Sequence, residues 1–253
     1  MSNATYEKLR SMRLGAMAEA YKQQLSDPQM YNLSFEERMA LLTDIEWTSR
    51  RNNRLKRLIG NAKFDQPQAH LGDIDFSPRR ELNRDQLLML GSCRYIADAR
   101  NVIIMGAAGS GKSFVACALG MEACKQSYSV RFVRMPTLME ELKLAAAIGK
   151  LQKTYKQYTK VNLLILDDWM LVKLTTDESR YVYELVHRRH KTASTVFCSQ
   201  FSPAGWHQRI AEDTLADAIL DRIVYDSYVI EIKSQEDMPS MREKYGLKTE
   251  TPK

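Results

Sequence analysis

Hydrophobic positions change their rhythm once along this chain. Up to about residue 65 they recur at helical spacing: Leu9, Met12, Ala16 and Ala20 fall on one helical face, and Met39, Leu42 and Ile45 line the apolar side of a second, longer helix. Ser34-Phe35-Glu36-Glu37 reads as a capping box opening that helix, since a hydroxyl and a carboxylate three residues apart satisfy each other's backbone N–H groups. Its far end interleaves Leu55, Leu58 and Ile59 with basic residues, and 60–77, with Pro67 and Gly72 and followed by Pro78, reads as a connector. From Val102 onward short β-branched runs alternate with helical stretches, the pattern of a parallel sheet covered by helices. Strands are predicted at 102–105, 130–134, 163–167, 195–199 and 228–232. Helices are predicted at about 112–125, 136–148, 178–191, 204–210 and 214–223, with a last one after Pro239. The expected organisation is a small all-helical domain over 1–68 and an α/β domain over 69–253.

The first run of the α/β part leads into chemistry. Gly106-Ala107-Ala108-Gly109-Ser110-Gly111-Lys112-Ser113 fills every position of the P-loop pattern G-x-x-x-x-G-K-[ST]. Glycines belong there because phosphate must be approached by bare backbone N–H groups, which a Cβ would hold off. Lys112 neutralises the β- and γ-phosphates, Ser113 offers a hydroxyl to Mg²⁺, and the following helix points its positive dipole end at the same anion. A strand, this loop and an amphipathic stretch in that order read as a nucleoside triphosphate site, with ATP and Mg²⁺ as the expected ligands.

Leu163-Leu164-Ile165-Leu166-Asp167-Asp168 has the look of a strand buried on both faces that delivers carboxylates to the sheet edge where open α/β folds bind ligands. Asp167 is placed to hold Mg²⁺, directly or through water, and Asp168 to act as general base on the attacking water. Gln200, after the 195–199 strand, suits either γ-phosphate sensing or turn formation, and Ser199 beside it shares the first role. Arg222 has two readings: an arginine supplied to a neighbouring subunit's γ-phosphate, or a salt bridge to Asp217, Asp221 or Asp226. Arg188, Arg189 and Arg242 are further cationic candidates.

Composition narrows the class. A 253-residue chain with 44% hydrophobic residues holds a real core. Its apolar runs fall short of the ~20 residues of a membrane span and its start lacks a signal-peptide pattern, which predicts a cytoplasmic protein. Cys93, Cys117, Cys124 and Cys198 lack zinc spacing and read as reduced, buried small hydrophobes. The net charge of +6 is mild but clustered. Arg50, Arg51, Arg54, Lys56, Arg57 and Lys63 form one acid-free run; Lys143, Lys150, Lys153, Lys156 and Lys160 form another. Each is a solvated helix face or a phosphate-backbone contact, and two such clusters in a nucleotide-driven protein favour nucleic acid.

Taken together, the basic Arg50-to-Lys63 run, His70-Leu71-Gly72-Asp73-Ile74-Asp75-Phe76, Asn101 to Gly106 leading into the P-loop, Leu163 to Trp169, Ser199-Gln200 with Trp206, and Asp221-Arg222 resemble a known group. It is the IstB-type transposition helpers, in the DnaC-like branch of the AAA+ ATPases. The resemblance implies a five-stranded parallel AAA+ core, ATP bound by residues 106–113 with Phe114 (Gly106, Ala107, Ala108, Gly109, Ser110, Gly111, Lys112 and Ser113), and hydrolysis at subunit interfaces of a homo-oligomer on DNA. It makes Gln200 or Ser199 the first sensor, Arg222 the finger acting in trans and Arg242 the second sensor. Ala107-Ala108 depart from the usual proline-containing loop start, and Asp168 stands where many AAA+ proteins have glutamate.

The expected function is an ATP-dependent helper that assembles on duplex DNA without sequence preference, bends it, recruits a cognate transposase and is released by hydrolysis. A replicative helicase loader of the DnaC type would use the same engine on another cargo, though the N-terminal helices lack an aromatic platform for stacked bases. A P-loop small-molecule kinase would need an acceptor pocket, and paired aspartates fit water activation better.

Overall fold

The computed structural model describes residues 4–77, 81–225 and 227–233. Two compact units divide the chain, 1–57 and 58–253. The boundary falls inside a long helix that continues to Ala62.

The first unit contains α1 (Ala4–Ser11), α2 (Gly15–Ser26) and most of α3 (Phe35–Ala62). Ser34 opens α3 as the sequence predicts: its Oγ accepts from the Glu37 N–H at 3.2 Å, while the Glu37 carboxylate accepts from the Ser34 N–H at 2.8 Å. The continuous face of Leu9, Met12, Ala16 and Ala20 does not form. Arg13 adopts a left-handed conformation, φ 61°, that ends α1, and Met12 is 58% exposed. Of Met39, Leu42 and Ile45 only Leu42 is buried. The turn at Arg13 is held by polar groups. Arg50 donates to the Arg13 carbonyl at 2.7 Å and to the Glu46 carboxylate at 2.7 Å, and Glu46 accepts from the Met17 N–H at 3.0 Å. Arg50 thereby lowers the pKa of Glu46.

The second unit is built on a sheet of β1 (Asn101–Gly106), β2 (Val130–Arg134), β3 (Leu163–Asp167), β4 (Ser194–Ser199) and β5 (Ser227–Ile232). The order is β2-β3-β4-β1-β5, every pairing parallel. Parallel strands need crossovers, and helices supply them: α6 (Lys112–Lys125), α7 (Met135–Ala147), α8 (Leu151–Thr159), α9 (Thr176–Arg189), α10 (Pro203–His207) and α11 (Asp213–Val224). Covered on both faces, β3 and β4 are buried at every residue. The interruption of the sheet order between β1 and β2 places the C-terminal ends of β1, β3 and β4 around one crevice.

Three helices of this unit escape the hydrophobic pattern. α4 (Arg84–Gly91) and α5 (Arg94–Ala97) precede β1; Asn83 caps α4 by accepting from the Gln86 N–H at 3.0 Å, a signal present in the sequence. α8 hides within the lysine run because its inward face is two tyrosines, Tyr155 and Tyr158, with no capping side chain at Lys150. All four cysteines are buried and free; burial pushes the thiols of Cys93 and Cys117 up to about 11 and that of Cys124 to about 12. No helix among the described residues is long and apolar enough to cross a membrane.

Candidate active site

β1 ends at Gly106 and α6 begins at Lys112, so residues 107–111 form the loop between them. A Cβ at Gly106 would lie 2.7 Å from the Ile232 carbonyl of β5 and 2.7 Å from Ser110 Oγ, so this position admits no side chain without displacing backbone. Gly109 and Gly111 have φ of 75° and 96°, where other residues are strained. The loop thus turns its backbone toward the N-terminus of the 14-residue α6, a fixed positive pole for a polyphosphate. Lys112 is 9% exposed and its ammonium donates to the carbonyls of Gly106 at 2.9 Å and Ala107 at 2.7 Å, which draws the cation across the loop mouth.

At the second residue of α6, Ser113 Oγ donates to Asp167 Oδ2 at 2.7 Å across 54 residues of sequence. This contact fits a divalent cation: a hydroxyl and a carboxylate, both hard oxygen donors, meet beside the phosphate loop. Asp167 is 4% exposed, and burial raises its pKa against the opposing effect of the Ser113 hydrogen bond; Asp168 adds to the rise and Lys112 opposes it.

Asp168 follows β3 in a left-handed conformation, φ 53°. Aspartate tolerates that region better than longer residues, which is a physical reason for the shorter acid here. The turn is anchored from below: Trp169 N–H donates to the Cys198 carbonyl at 2.8 Å, and the Trp169 ring meets Phe197 and Trp206 with centroids 4.7 and 6.0 Å away. Asp168 borders a cavity of about 200 Å³ with Lys143, Lys173 and Glu178. Lys143 is ion-paired there with Glu178 at 2.9 Å.

Ser199 is completely buried and its hydroxyl is occupied by scaffold, donating to the Trp169 carbonyl at 2.9 Å and accepting from Trp206 Nε1 at 2.8 Å and Phe201 N–H at 3.1 Å. Of the sensor pair, Gln200 is the exposed one. The sequence carries no clear sign of the Trp169–Ser199–Trp206 buttress beneath Asp168, because indoles 37 residues apart read as ordinary core.

Other candidates fall elsewhere. Arg222 donates to the Ala218 carbonyl of its own helix at 2.6 Å and lies 5.3 Å over the Tyr183 ring of α9. Among the described residues it forms no salt bridge; Asp217 instead pairs with His207 at 3.1 Å. Arg189 is buried and scaffolding, and Arg188 pairs with Glu184, leaving neither free for phosphate. Arg242 lies outside the described residues. Arg51 stacks over Trp47 at 5.3 Å, while Arg54, Lys56 and Arg57 are exposed on α3 and Lys150 and Lys153 around the start of α8.

A P-loop, a Ser113–Asp167 hydrogen bond beside it and a parallel sheet ordered β2-β3-β4-β1-β5 define an ATPase with an AAA+ core. Solved structures agree on the fold. The chain superposes on DnaI with a TM-score of 0.58 at 22% identity, covering 70% of this chain and 93% of that one, and on the DnaC helicase loader with a TM-score of 0.51 at 18% identity, covering 64% and 96%. Residues 7–249 match the model of the IstB-like ATP binding protein family, and the chain belongs to that family. Among its relatives, an insertion sequence ATP-binding protein of Sinorhizobium fredii is 38% identical over 249 residues, 98% of this chain and all of that one. The IS1162 ATP-binding protein of Pseudomonas fluorescens is 38% identical over 200 residues, 79% of this chain and 87% of that one. The protein is thus a transposition-associated ATPase.

Proposed function

We propose that the protein is the ATP-driven helper of an insertion-sequence transposase, assembling as a homo-oligomer on duplex DNA, deforming it, recruiting the transposase and letting go on hydrolysis. The carrying observation is a match to insertion-sequence ATP-binding proteins that runs the length of the chain, N-terminal helices included. The likeness to DnaI and DnaC covers 70% and 64% of the chain and is one of fold, so it supports the engine and leaves the helicase-loading alternative with less in its favour.

In this reading Gly106 to Phe114 hold the triphosphate, and Lys112 exchanges its two carbonyls for phosphate oxygens. Ser113 and Asp167 hold Mg²⁺, which when bound spreads the charge developing on the β- and γ-phosphate oxygens. Asp168 orients water and accepts its proton, Gln200 senses the γ-phosphate, and Arg222 and Arg242 act as the trans finger and second sensor. The helical residues 1–68 serve DNA and partner, with Arg50, Arg51, Arg54, Lys56, Arg57, Lys143, Lys150 and Lys153 as the proposed backbone contacts. Arg50 and Lys143 would have to share themselves with Glu46 and Glu178.

Sedimentation and filter binding test this reading, with duplex and single-stranded DNA in competition. Larger assemblies and tighter duplex binding are expected with ATP, together with a steep loss of affinity as salt rises. If ATP changes neither assembly nor DNA affinity, the helper role fails; preference for the single strand turns the reading toward helicase loading.

A further inference from the structure

The C-terminal ends of the two basic runs, far apart in sequence, meet on the second unit. Lys63 from the segment after α3, Arg131 from β2, and Lys156 and Lys160 from α8 and its C-cap line one groove of about 500 Å³, with Leu58, Asn61 and Ser129 among its other walls. Among the described residues no acidic one lines it. Two carboxylates near in sequence or space are already paired: Asp65 with Arg134 at 2.9 Å, and Glu141 with the hydroxyl of Tyr158, whose ring lies under Arg131. None of the four groove cations forms an ion pair among the described residues. Lysines at the end of α8 alone would be explained by the helix dipole. That account covers Lys156 and Lys160 but not Lys63 and Arg131, which come from other elements to the same concavity.

Its position is distinctive. Ser129, Val130 and Val161 lie where β2 and β3 begin, whereas the phosphate loop, Asp167 and Asp168 lie where strands end. A five-residue strand separates the two ends by roughly 16 Å, and β2 is one of the sheet's two outer strands. An anion held here therefore does not compete with the nucleotide. A concave site with four converging cations, open at a sheet edge, suits adjacent phosphodiesters of one strand better than a single small anion.

We propose that this groove is a nucleotide-independent seat for the DNA backbone, gripping successive phosphates of one strand of the duplex through Lys63, Arg131, Lys156 and Lys160. The proposal rests on the DNA-binding reading above and assigns it a place. The test uses the full chain, a fluorescein-labelled duplex of about 30 base pairs and anisotropy titrations across salt concentrations without nucleotide. Lys156→Glu with Lys160→Glu, and the milder pair Lys156→Gln with Lys160→Gln, are compared with Lys191→Glu, which reverses an exposed charge outside the groove. The glutamate pair is expected to weaken binding about tenfold or more and to flatten the slope of log K against log salt by about 2, with the glutamine pair intermediate. The rise in Tm with ATP should stay at its wild-type value in both pairs. Wild-type affinity and salt slope in both pairs, or a loss no larger than that of Lys191→Glu, overturns the groove while DNA binding stands. A wild-type protein that does not bind duplex without nucleotide also overturns the groove; one that does not bind it with ATP either overturns the DNA-binding reading as well.

Discussion

At the scale of single residues, the site is a set of compromises between folding and chemistry. Asp167 shows this most directly: burial raises its carboxyl pKa, so between the ordinary carboxylate value and the raised one the folded chain keeps a proton that the unfolded chain has released. Stability therefore falls as pH rises through that window and remains lower above it. Asp167→Asn is accordingly expected to raise the Tm of the nucleotide-free protein at neutral pH while removing the Mg²⁺-dependent part of the ATP-induced Tm increase, both readable by calorimetry. Asp168 is partly exposed on a left-handed turn. Asp168→Asn should leave ATP binding and assembly intact and lower turnover by about a hundredfold or more, as loss of a general base does; normal phosphate release would remove its catalytic role. Lys112→Ala should instead weaken nucleotide binding itself, seen in equilibrium titration. The residue types and their order marked Lys112, Asp167 and Asp168 as candidates in the sequence. The protonation balance was not legible there, because it depends on what surrounds the carboxylate.

At the scale of elements, strands were easier to read than helices. The strands at 130–134 and 163–167 have the bounds that the hydrophobic pattern predicts; β3, buried at every residue, is apolar from Leu163 to Leu166 because it is covered on both faces, whereas β2, at the sheet edge, admits Arg131 and Arg134. The α1–α2 break was hidden because it turns on Arg13, an ordinary residue in a left-handed conformation held by Arg50 from α3. α8 was hidden because its core face is aromatic and its sequence is dominated by lysine. Arg189 is the sharpest reversal: a cationic candidate in sequence, it is a buried clamp in the fold. Its guanidinium donates to the carbonyls of Tyr158 at 2.7 Å, Val161 at 3.0 Å and Ser194, and to Thr195 Oγ1 at 3.0 Å, tying α8 and α9 to the starts of β3 and β4. Burial alone pushes its pKa down to about 9. Arg189→Met would strand those acceptors, and urea unfolding should show a loss of about 3 kcal/mol or more with ATP-site chemistry otherwise unchanged.

At the scale of the whole molecule, a single chain supplies only part of the proposed hydrolytic site. The Arg222 guanidinium, held against Tyr183 and the Ala218 carbonyl, has no carboxylate partner among the described residues, which is compatible with service to a neighbour. The expectation is specific. Asp168→Asn and Arg222→Ala should each be inactive alone, and equal mixing should restore about a quarter of wild-type turnover, because one site in four then combines an intact aspartate with an intact neighbouring arginine. No recovery on mixing would confine Arg222 to its own chain.

The sequence by itself determined the P-loop, the carboxylates at the end of β3 and the parallel α/β architecture, because each depends on local pattern: glycines where backbone must meet phosphate, continuous apolar runs where a strand is covered on both faces. Only the tertiary structure decided which polar residues serve the scaffold and which remain available. Ser199 went to Trp169 and Trp206, Arg50 to the Arg13 turn and Arg189 to the strand starts, while Lys63, Arg131, Lys156 and Lys160 gathered in one groove. Hydrogen bonds and charge act over a few ångströms in space whatever the distance along the chain, so their partners are settled only when the chain has folded.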